Sequence, residues 1–182
     1  MRTRFALALA LVALAFPILA PAEPISEVIG DRKATEIRRI IPAETPEAQR
    51  LPELSYIAGY EILGDPEILT TEQTATLEAL TAKPDAFESD GEATCKLRPG
   101  VALRFGSESD AIDMLVCFAC NEVAAVPLDR TITQLALMPQ SSRDVLLGIA
   151  KAALPEDEAI QELPEVRREG AAPAPYAPPA AE

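Results

Sequence analysis

The order of apolar and polar positions predicts a strand and a helix in the first half of the chain. Ser55–Leu63 is rich in aromatic and β-branched residues and is followed by Gly64-Asp65-Pro66, which is typical of a strand that ends in a turn. Leu69–Leu80 has leucines at helical spacing, and Thr70 with Gln73 matches a capping box. The pattern therefore predicts one strand and then one amphipathic helix.

The second half of the pattern predicts adjacent strands and then helices. The predicted strands are Val101–Phe105, Ala111–Phe118, Glu122–Pro127 and Thr131–Met138. A helix capped by Ser141 or Ser142 follows and runs to Leu154, and a second, short helix begins at Pro155 and ends at Leu163. Because no helices separate the adjacent strands, the order predicts an α+β domain, an antiparallel sheet with helices packed on one face.

Residues 1–22 have the composition of a secretory signal peptide. Arg2 and Arg4 precede an apolar stretch over residues 5–19, and Ala20-Pro21-Ala22 offers a cleavage site. The apolar stretch is shorter than the roughly 20 residues that a membrane-spanning helix needs. We therefore predict a periplasmic or secreted protein without a membrane span.

The mature chain is predicted to have three parts. Residues 23–50 form an N-terminal extension with one short helix, which Asp31 caps and which ends before Pro42. The apolar positions of this helix are Ala34, Ile37, Ile40 and Ile41. Residues 51–164 form a single α+β domain, and residues 165–182 form a disordered tail that is rich in Ala and Pro.

Charge and composition exclude several classes of function. The chain has a net charge of −13 and no histidine, and loss of residues 1–22 removes two of the sixteen Lys and Arg and leaves −15. Nucleic acid and anionic membranes bind clustered cations, so neither is an expected partner. Without histidine the chain cannot form a Ser-His-Asp or Cys-His catalyst or a histidine-ligated metal centre. We expect no cofactor.

The segment of the predicted hairpin carries all three cysteines. If Phe105 pairs with Asp110, antiparallel pairing places Cys95 opposite Cys120, and the Cβ atoms of such pairs lie about 4.5–5.5 Å apart, close to disulfide distance. Disulfides are the usual state of cysteines in an oxidising compartment. The favoured interpretation is a Cys95–Cys120 disulfide with Cys117 as a buried free thiol, and a Cys95–Cys117 pair stays open as a variant.

Two other interpretations of the cysteines stay open. The three thiols could bind a metal such as zinc, with Glu122 or Asp113 in place of the missing histidine as the fourth ligand. Alternatively, Cys117-Phe-Ala-Cys120 could be a redox pair. Reactive dithiols normally lie at the N-terminus of a helix, however, and this one is predicted at the end of a strand.

Carboxylates near the hairpin are the remaining candidates for catalysis, because a pair of them can hydrolyse glycosides. Four acids cluster there: Glu108, Asp110, Asp113 and Glu122. Acids also solvate turns and strand ends, and we interpret these four in that way, balanced by Arg98 and Arg104. The predicted register places Arg104 opposite Ala111. The sequence therefore predicts no catalytic residue.

The cysteine segment resembles a family of uncharacterised bacterial exported proteins. Those proteins share a cysteine before Pro-Gly-x-Ala-Leu-Arg-Phe and a hydrophobic strand that ends in Cys-Phe-x-Cys, as residues 95–105 and 116–120 do here. The segment Ile57–Gly64 and the helix after it resemble the same layout, so that the likeness covers residues 55–163. The resemblance implies an exported domain and brings no activity and no catalytic residues with it.

These observations predict a small acidic exported domain, a non-enzymatic binding or structural protein of the cell envelope. Its expected partner is a protein or another component of the envelope. The alternative is a thiol- or metal-dependent site built on Cys95, Cys117 and Cys120, either a redox or a zinc-binding protein. The sequence identifies no ligand and no oligomeric state.

Overall fold

The computed structural model describes residues 24–43, 56–88, 96–107, 109–127 and 131–165. The described strands are β1 (Ala34–Pro42), β2 (Tyr56–Ile57), β3 (Tyr60–Ile68), β4 (Val101–Phe105), β5 (Ile112–Cys117), β6 (Glu122–Pro127) and β7 (Gln134–Leu137). The described helices are α1 (Ile25–Ile29), α2 (Thr71–Thr81), α3 (Gln140–Ala153) and α4 (Glu158–Gln161). The strands form one antiparallel sheet in the order β2-β3-β1-β4-β5-β6-β7, which confirms the predicted α+β class.

The described helices cover one face of this sheet. The larger core cluster joins apolar residues of all four helices to one face of the central strands: Ile25, Leu77, Leu146 and Ile160 with Ile37, Leu103, Met114 and Val123. The other face, which we call the second face, carries a smaller cluster of strand residues: Ile40, Ile57, Ala102, Leu115, Ala124 and Val126. Because both faces are covered, every residue of β5 is buried, as in strands that read as continuous apolar runs.

The prediction of a helix capped by Asp31 is wrong, because residues 34–42 form β1. This strand lies between β3 and β4 in the middle of the sheet. Ile37 packs in the larger cluster and Ile40 in the smaller one, since residues three apart in a strand point to opposite faces. Because both faces of β1 are buried, its apolar residues include pairs that are three positions apart, which is also the spacing of an apolar stripe on a helix. The β-branched side chain of isoleucine favours the strand. The sheet therefore begins inside the predicted extension, residues 23–50.

The strand predicted over residues 55–63 is a hairpin of β2 and β3, and Ser55 lies outside the described residues. Ala58 and Gly59, with φ of 47° and 89°, form its turn. The turn predicted at Gly64-Asp65-Pro66 is wrong, because β3 continues to Ile68. Gly64 has a φ of 67°, and the pairing with β1 shifts register in this region, as at a β-bulge.

The prediction for α2 is confirmed at the level of its cap. The Thr70 hydroxyl accepts the Gln73 N–H across 3.2 Å, and the Gln73 side chain accepts the Thr70 N–H across 2.8 Å. The predicted cap of α3 is wrong, since Pro139 takes that position and the Ser142 hydroxyl donates instead to the Ala86 carbonyl across 2.7 Å.

No helix in the described ranges is long and apolar enough to cross a membrane.

The last described helix and the residue Glu165 differ in part from the prediction. The helix predicted from Pro155 is α4, which begins at Glu158 because the Asp157 carboxylate accepts the Ile160 N–H across 3.0 Å. The predicted signal peptide, residues 1–22, and the tail beyond Glu165 lie outside the described residues. Glu165 itself, predicted as part of a disordered tail, is held by hydrogen bonds to its carbonyl oxygen.

The hairpin of β4 and β5 has a different register from the predicted one. Phe105 pairs with Ile112, two residues beyond Asp110, and Arg104 therefore faces Asp113. These two side chains form a two-bonded ion pair with distances of 2.8 and 2.9 Å, which favours the observed register. Counting along the paired strands does not reach Cys95, because β4 begins at residue 101.

Candidate functional site at the cysteine turn

The two described cysteines lie on a tight connection between β5 and β6, which we call the cysteine turn (residues 117–122). Cys117 ends β5 and pairs with Glu122, the first residue of β6. Asn121 has a φ of 54°, a left-handed conformation that asparagine adopts more readily than most residues. The turn thereby reverses the chain within four residues and brings Cys120 back towards the end of the sheet.

The sulfur of Cys117 is fully enclosed. Cys117 is 0% exposed and is a free thiol, two residues from Leu115 and therefore on the second face of the sheet. The Arg98 N–H donates to the sulfur across 3.4 Å, and the backbone N–H groups of Cys120 and Ala119 also donate to it. The site is therefore a pocket of backbone donors closed over one sulfur atom.

Burial raises the pKa of the Cys117 thiol above its ordinary value. The three backbone donors act in the opposite direction, and the negative charge of Glu122 adds to the rise. The balance leaves the group protonated near neutral pH, because a thiolate inside apolar surroundings loses more hydration than these donors replace. Since the thiolate is the nucleophilic form of cysteine, the arrangement makes Cys117 chemically inert.

Three side chains hold successive residues of the segment that enters β4. The Cys120 sulfur lies 3.3 Å from the Lys96 carbonyl oxygen, and the Tyr60 hydroxyl donates to the Leu97 carbonyl across 3.1 Å. The next backbone N–H along the chain is the one that reaches Cys117. Burial, with a smaller contribution from Cys117, raises the pKa of Tyr60, so that its hydroxyl stays a donor. The entering segment is thus held at three successive residues, twice by the cysteine turn and once by Tyr60 of β3.

Cys95, the predicted partner of Cys120, lies outside the described residues. Cys120 is 1% exposed and lies in contact with Lys96, the residue that directly follows Cys95. The contact therefore brings the chain to within one residue of Cys95 at the Cys120 sulfur. This proximity comes from the entering segment and not from the strand register on which the sequence prediction depends.

The four acids near the hairpin do not form one site. Asp110 accepts the Ser107 N–H in the exposed turn, and Glu108 lies outside the described residues. Asp113 and Glu122 are 8% and 0% exposed, so the interpretation of these two as solvated acids is wrong. They lie on the same face, four positions apart along the paired strands and hence about 13 Å from each other.

Asp113 belongs to a charge network at the other end of the second face. Besides its ion pair with Asp113, Arg104 lies 3.5 Å from the Glu36 carboxylate, to which Arg38 also donates across 2.8 Å. The hydrogen bonds to Asp113 are the largest contribution to a raised pKa of Arg104, ahead of an opposing effect of burial. Two cations and two carboxylates balance one another here, which indicates a structural role.

The geometry weighs against both other interpretations of the cysteines. Of the two proposed fourth ligands for zinc, Asp113 is bound to Arg104 and is far from the cysteine turn. Within the described ranges no group of three or more Cys, Asp or Glu side chains is placed to hold a metal ion. Cys117 ends the strand β5 and Cys120 lies in the hairpin turn after it, without the helix N-terminus that activates dithiols.

The sequence does not indicate the role of Arg143, whose buried side chain contacts the cysteine turn from the face of the sheet that the helices cover. Arg143 is 1% exposed, its guanidinium lies 5.9 Å from the centre of the Phe118 ring, and its Nε donates to the Phe118 carbonyl across 3.4 Å. It occupies the first turn of α3, between Ser142 and Asp144, where a polar residue is expected to face solvent. No signal in the sequence distinguishes it from a surface arginine.

Comparison of the chain with models of protein families, with curated proteins and with solved structures finds no match. No activity is therefore transferred from a relative. What the chain does is inferred from the cysteine turn, from the sheet that carries it and from the signal-like N-terminus.

Proposed function

We propose that this chain is an exported, acidic, disulfide-stapled domain that serves as a binding or structural protein of the cell envelope. Its location is the periplasm or the outside of the cell, and its partner is a protein or another envelope component. The proposal includes kinship with the exported bacterial family that the cysteine motifs resemble. The observation that carries the proposal is the enclosed Cys117 thiol. Cys117 is the residue whose side chain is best suited to chemistry, and its burial keeps the sulfur out of reach of any substrate.

A reactive cysteine needs both access and a lowered pKa. Cys117 has neither, since it is 0% exposed and burial raises the pKa of its thiol. Among the described acids, Asp113 is engaged in an ion pair with Arg104 and is separated from Glu122 by four positions along the paired strands. A role in binding or in envelope structure needs none of these groups to react, and it agrees with the burial of apolar residues on both faces of the sheet.

The proposed staple is a disulfide between Cys95 and Cys120. It is supported by the contact of 3.3 Å between the Cys120 sulfur and Lys96, next to Cys95, and by the free state of Cys117. Closing this loop of 26 residues would stabilise the fold by about 3.5 kcal/mol on a chain-entropy argument. The signal-like N-terminus would deliver the chain to a compartment in which such bonds persist.

The test is the mass of the exported protein after alkylation with iodoacetamide. We expect the mass of a chain without residues 1–22, no adduct on the native protein, one adduct after unfolding without reductant, and three after unfolding with reductant. In the Cys117→Ser variant the single adduct disappears, which assigns it. Three adducts without reductant, together with one bound zinc per chain in native mass spectrometry, would reject the proposal in favour of the metal-dependent alternative.

A further inference from the structure

Residues 96–98, which we call the thiol lid, lie directly against the sulfur atom of Cys117. The Arg98 N–H donates to that sulfur across 3.4 Å, so the backbone of the lid is in contact with the thiol. Lys96 and Arg98 are exposed, whereas Leu97 is half-buried and packs on the second face of the sheet, the face that carries Cys117. The lid is therefore a surface segment that separates the buried sulfur from solvent.

The other groups around the sulfur belong to parts of the sheet that do not open easily. Cys117 ends β5, which is buried along its whole length and paired with β4 on one side and β6 on the other. The N–H groups of Ala119 and Cys120 come from the tight turn that follows at once. The lid precedes β4 and belongs to no described strand. Of these parts, the lid is the one that can move without breaking the pairing of the sheet.

The lid is held at both ends and fastened in the middle. At its start the Cys120 sulfur contacts the Lys96 carbonyl, and after its end the Gly100 N–H donates to a carbonyl of β5 across 3.0 Å, where the pairing of the sheet begins. In the middle the Tyr60 hydroxyl donates to the Leu97 carbonyl across 3.1 Å. Glycine adopts a wider range of backbone angles than other residues, which suits Gly100 to the role of a hinge between the lid and β4.

We propose that the thiol lid opens locally and that the hydrogen bond between Tyr60 and Leu97 controls access to the Cys117 thiol. With this bond in place, the lid encloses the sulfur. Without it, Leu97 and Arg98 can turn about Gly100 towards solvent, and water reaches the sulfur. Burial is the largest cause of the raised pKa of Cys117, so hydration returns the thiol towards its ordinary pKa and favours the reactive thiolate. The thiol is therefore inert under the closed lid and reactive under the open one.

The test measures how fast iodoacetamide labels Cys117 in native buffer, in the full mature chain, with peptide mapping to identify the labelled cysteine. Tyr60→Phe removes the fastening hydroxyl and keeps the ring, so labelling should become about fivefold faster, as the loss of one hydrogen bond predicts. Gly100→Ala restricts the hinge and should make labelling about threefold slower. A Cβ atom at Gly100 would lie 3.5 Å from Arg39 and 3.7 Å from Ile160, which are ordinary contact distances, so the closed state accepts it.

A matched control separates opening of the lid from global unfolding. Thr70→Ala removes the cap of α2, a helix on the opposite face of the sheet, and lowers the free energy of unfolding there. Because labelling through the lid is independent of global stability, this variant should label at the wild-type rate. The inference is overturned if Tyr60→Phe labels no faster than the wild type, if Gly100→Ala labels no slower, or if Thr70→Ala labels faster in proportion to its loss of stability in urea titrations.

Discussion

At the scale of single residues, three backbone N–H groups determine the state of one sulfur atom. The donors belong to Arg98, Ala119 and Cys120, and they come from two parts of the chain that the hairpin brings together. Burial prevails over these donors and raises the pKa of the Cys117 thiol. The sulfur therefore accepts hydrogen bonds as a neutral atom and completes the hydrogen bonding of backbone groups that would otherwise be buried without an acceptor.

The acceptor role of the sulfur predicts different outcomes for two substitutions of Cys117. Cys117→Ala leaves the Arg98 N–H and its neighbours without an acceptor and should lower the free energy of unfolding by about 1–3 kcal/mol. Cys117→Ser keeps an acceptor and should cost less than alanine. Urea titrations monitored by circular dichroism measure both values. An alanine variant as stable as the wild type would contradict the role.

The raised pKa of Cys117 also predicts a dependence of stability on pH. The unfolded thiol titrates near pH 8.5, and the folded thiol titrates higher, so the folded state retains a proton that the unfolded state has lost. Stability is therefore complete below about pH 8.5 and falls as the pH rises towards the folded pKa. The slope is about 1.4 kcal/mol per pH unit.

The control for this prediction is Cys117→Ser, which removes the smaller, Cys117 contribution to the raised pKa of Tyr60 and leaves the larger contribution of burial. Tyr60, whose pKa burial also raises, adds a loss of stability of the same sign in both proteins. Unfolding free energies between pH 8 and pH 10 should therefore fall more steeply in the wild type than in the serine variant. Equal slopes would show that Cys117 has the same pKa in both states.

At the scale of elements, the sequence predicts those helices and strands whose formation depends on residues close together in the chain. The capping box predicts α2, and β4 and β6 form over the predicted residues. The strand β1 could not be predicted, because its isoleucines fit a helical stripe and only pairing with β3 and β4 selects the extended form. Tyr60 and Arg143 escaped prediction for the same reason, since they contact residues 37 and 25 positions away.

The docking of α4 on the sheet provides a prediction at this scale. Asp157 caps the helix and binds Arg39 across 2.6 Å, while Arg39 also donates to the carbonyls of Ile40 and Gly100. Burial lowers the pKa of Arg39, and Asp157 opposes that effect. Asp157→Ala removes both contacts and should cost about 1.5–3 kcal/mol, as for hydrogen bonds to charged groups.

Asp157→Asn separates the two roles of this carboxylate, because the amide oxygen can still cap α4 but carries no charge for Arg39. It should therefore be less destabilising than the alanine variant in urea titrations. If the two variants lose the same free energy of unfolding, the cap contributes nothing and the ion pair with Arg39 accounts for the whole effect of Asp157.

At the scale of the whole molecule, contacts between segments that are far apart in the sequence lie together at one end of the sheet. The entering segment at Lys96, the cysteine turn and the carbonyls of Pro164 and Glu165 meet there through Cys120, Cys117 and Arg143. The sequence alone located the cysteines and predicted the sheet that carries them. The binding of residues 163–165 to α3 could not be foreseen, because it uses backbone carbonyls, which have no signature in the amino-acid sequence.

The proposed staple predicts how the whole molecule responds to reductant. Reduction of a Cys95–Cys120 bond should lower the free energy of unfolding by about 3.5 kcal/mol, since it restores the entropy of the unfolded loop. Thermal denaturation with and without reductant measures the change, and the double variant Cys95→Ser, Cys120→Ser should reproduce it. A melting temperature that does not respond to reductant would exclude a stabilising disulfide.

The central claim, that the cysteine site is enclosed and structural, is tested most directly by the rate at which iodoacetamide labels Cys117 in the native mature protein. A thiol reached only through local opening should react about a hundredfold or more slowly than the same thiol in urea, as an opening free energy near 3 kcal/mol implies. Labelling of the native protein at the rate of the unfolded chain would show an accessible, reactive cysteine and would contradict the account.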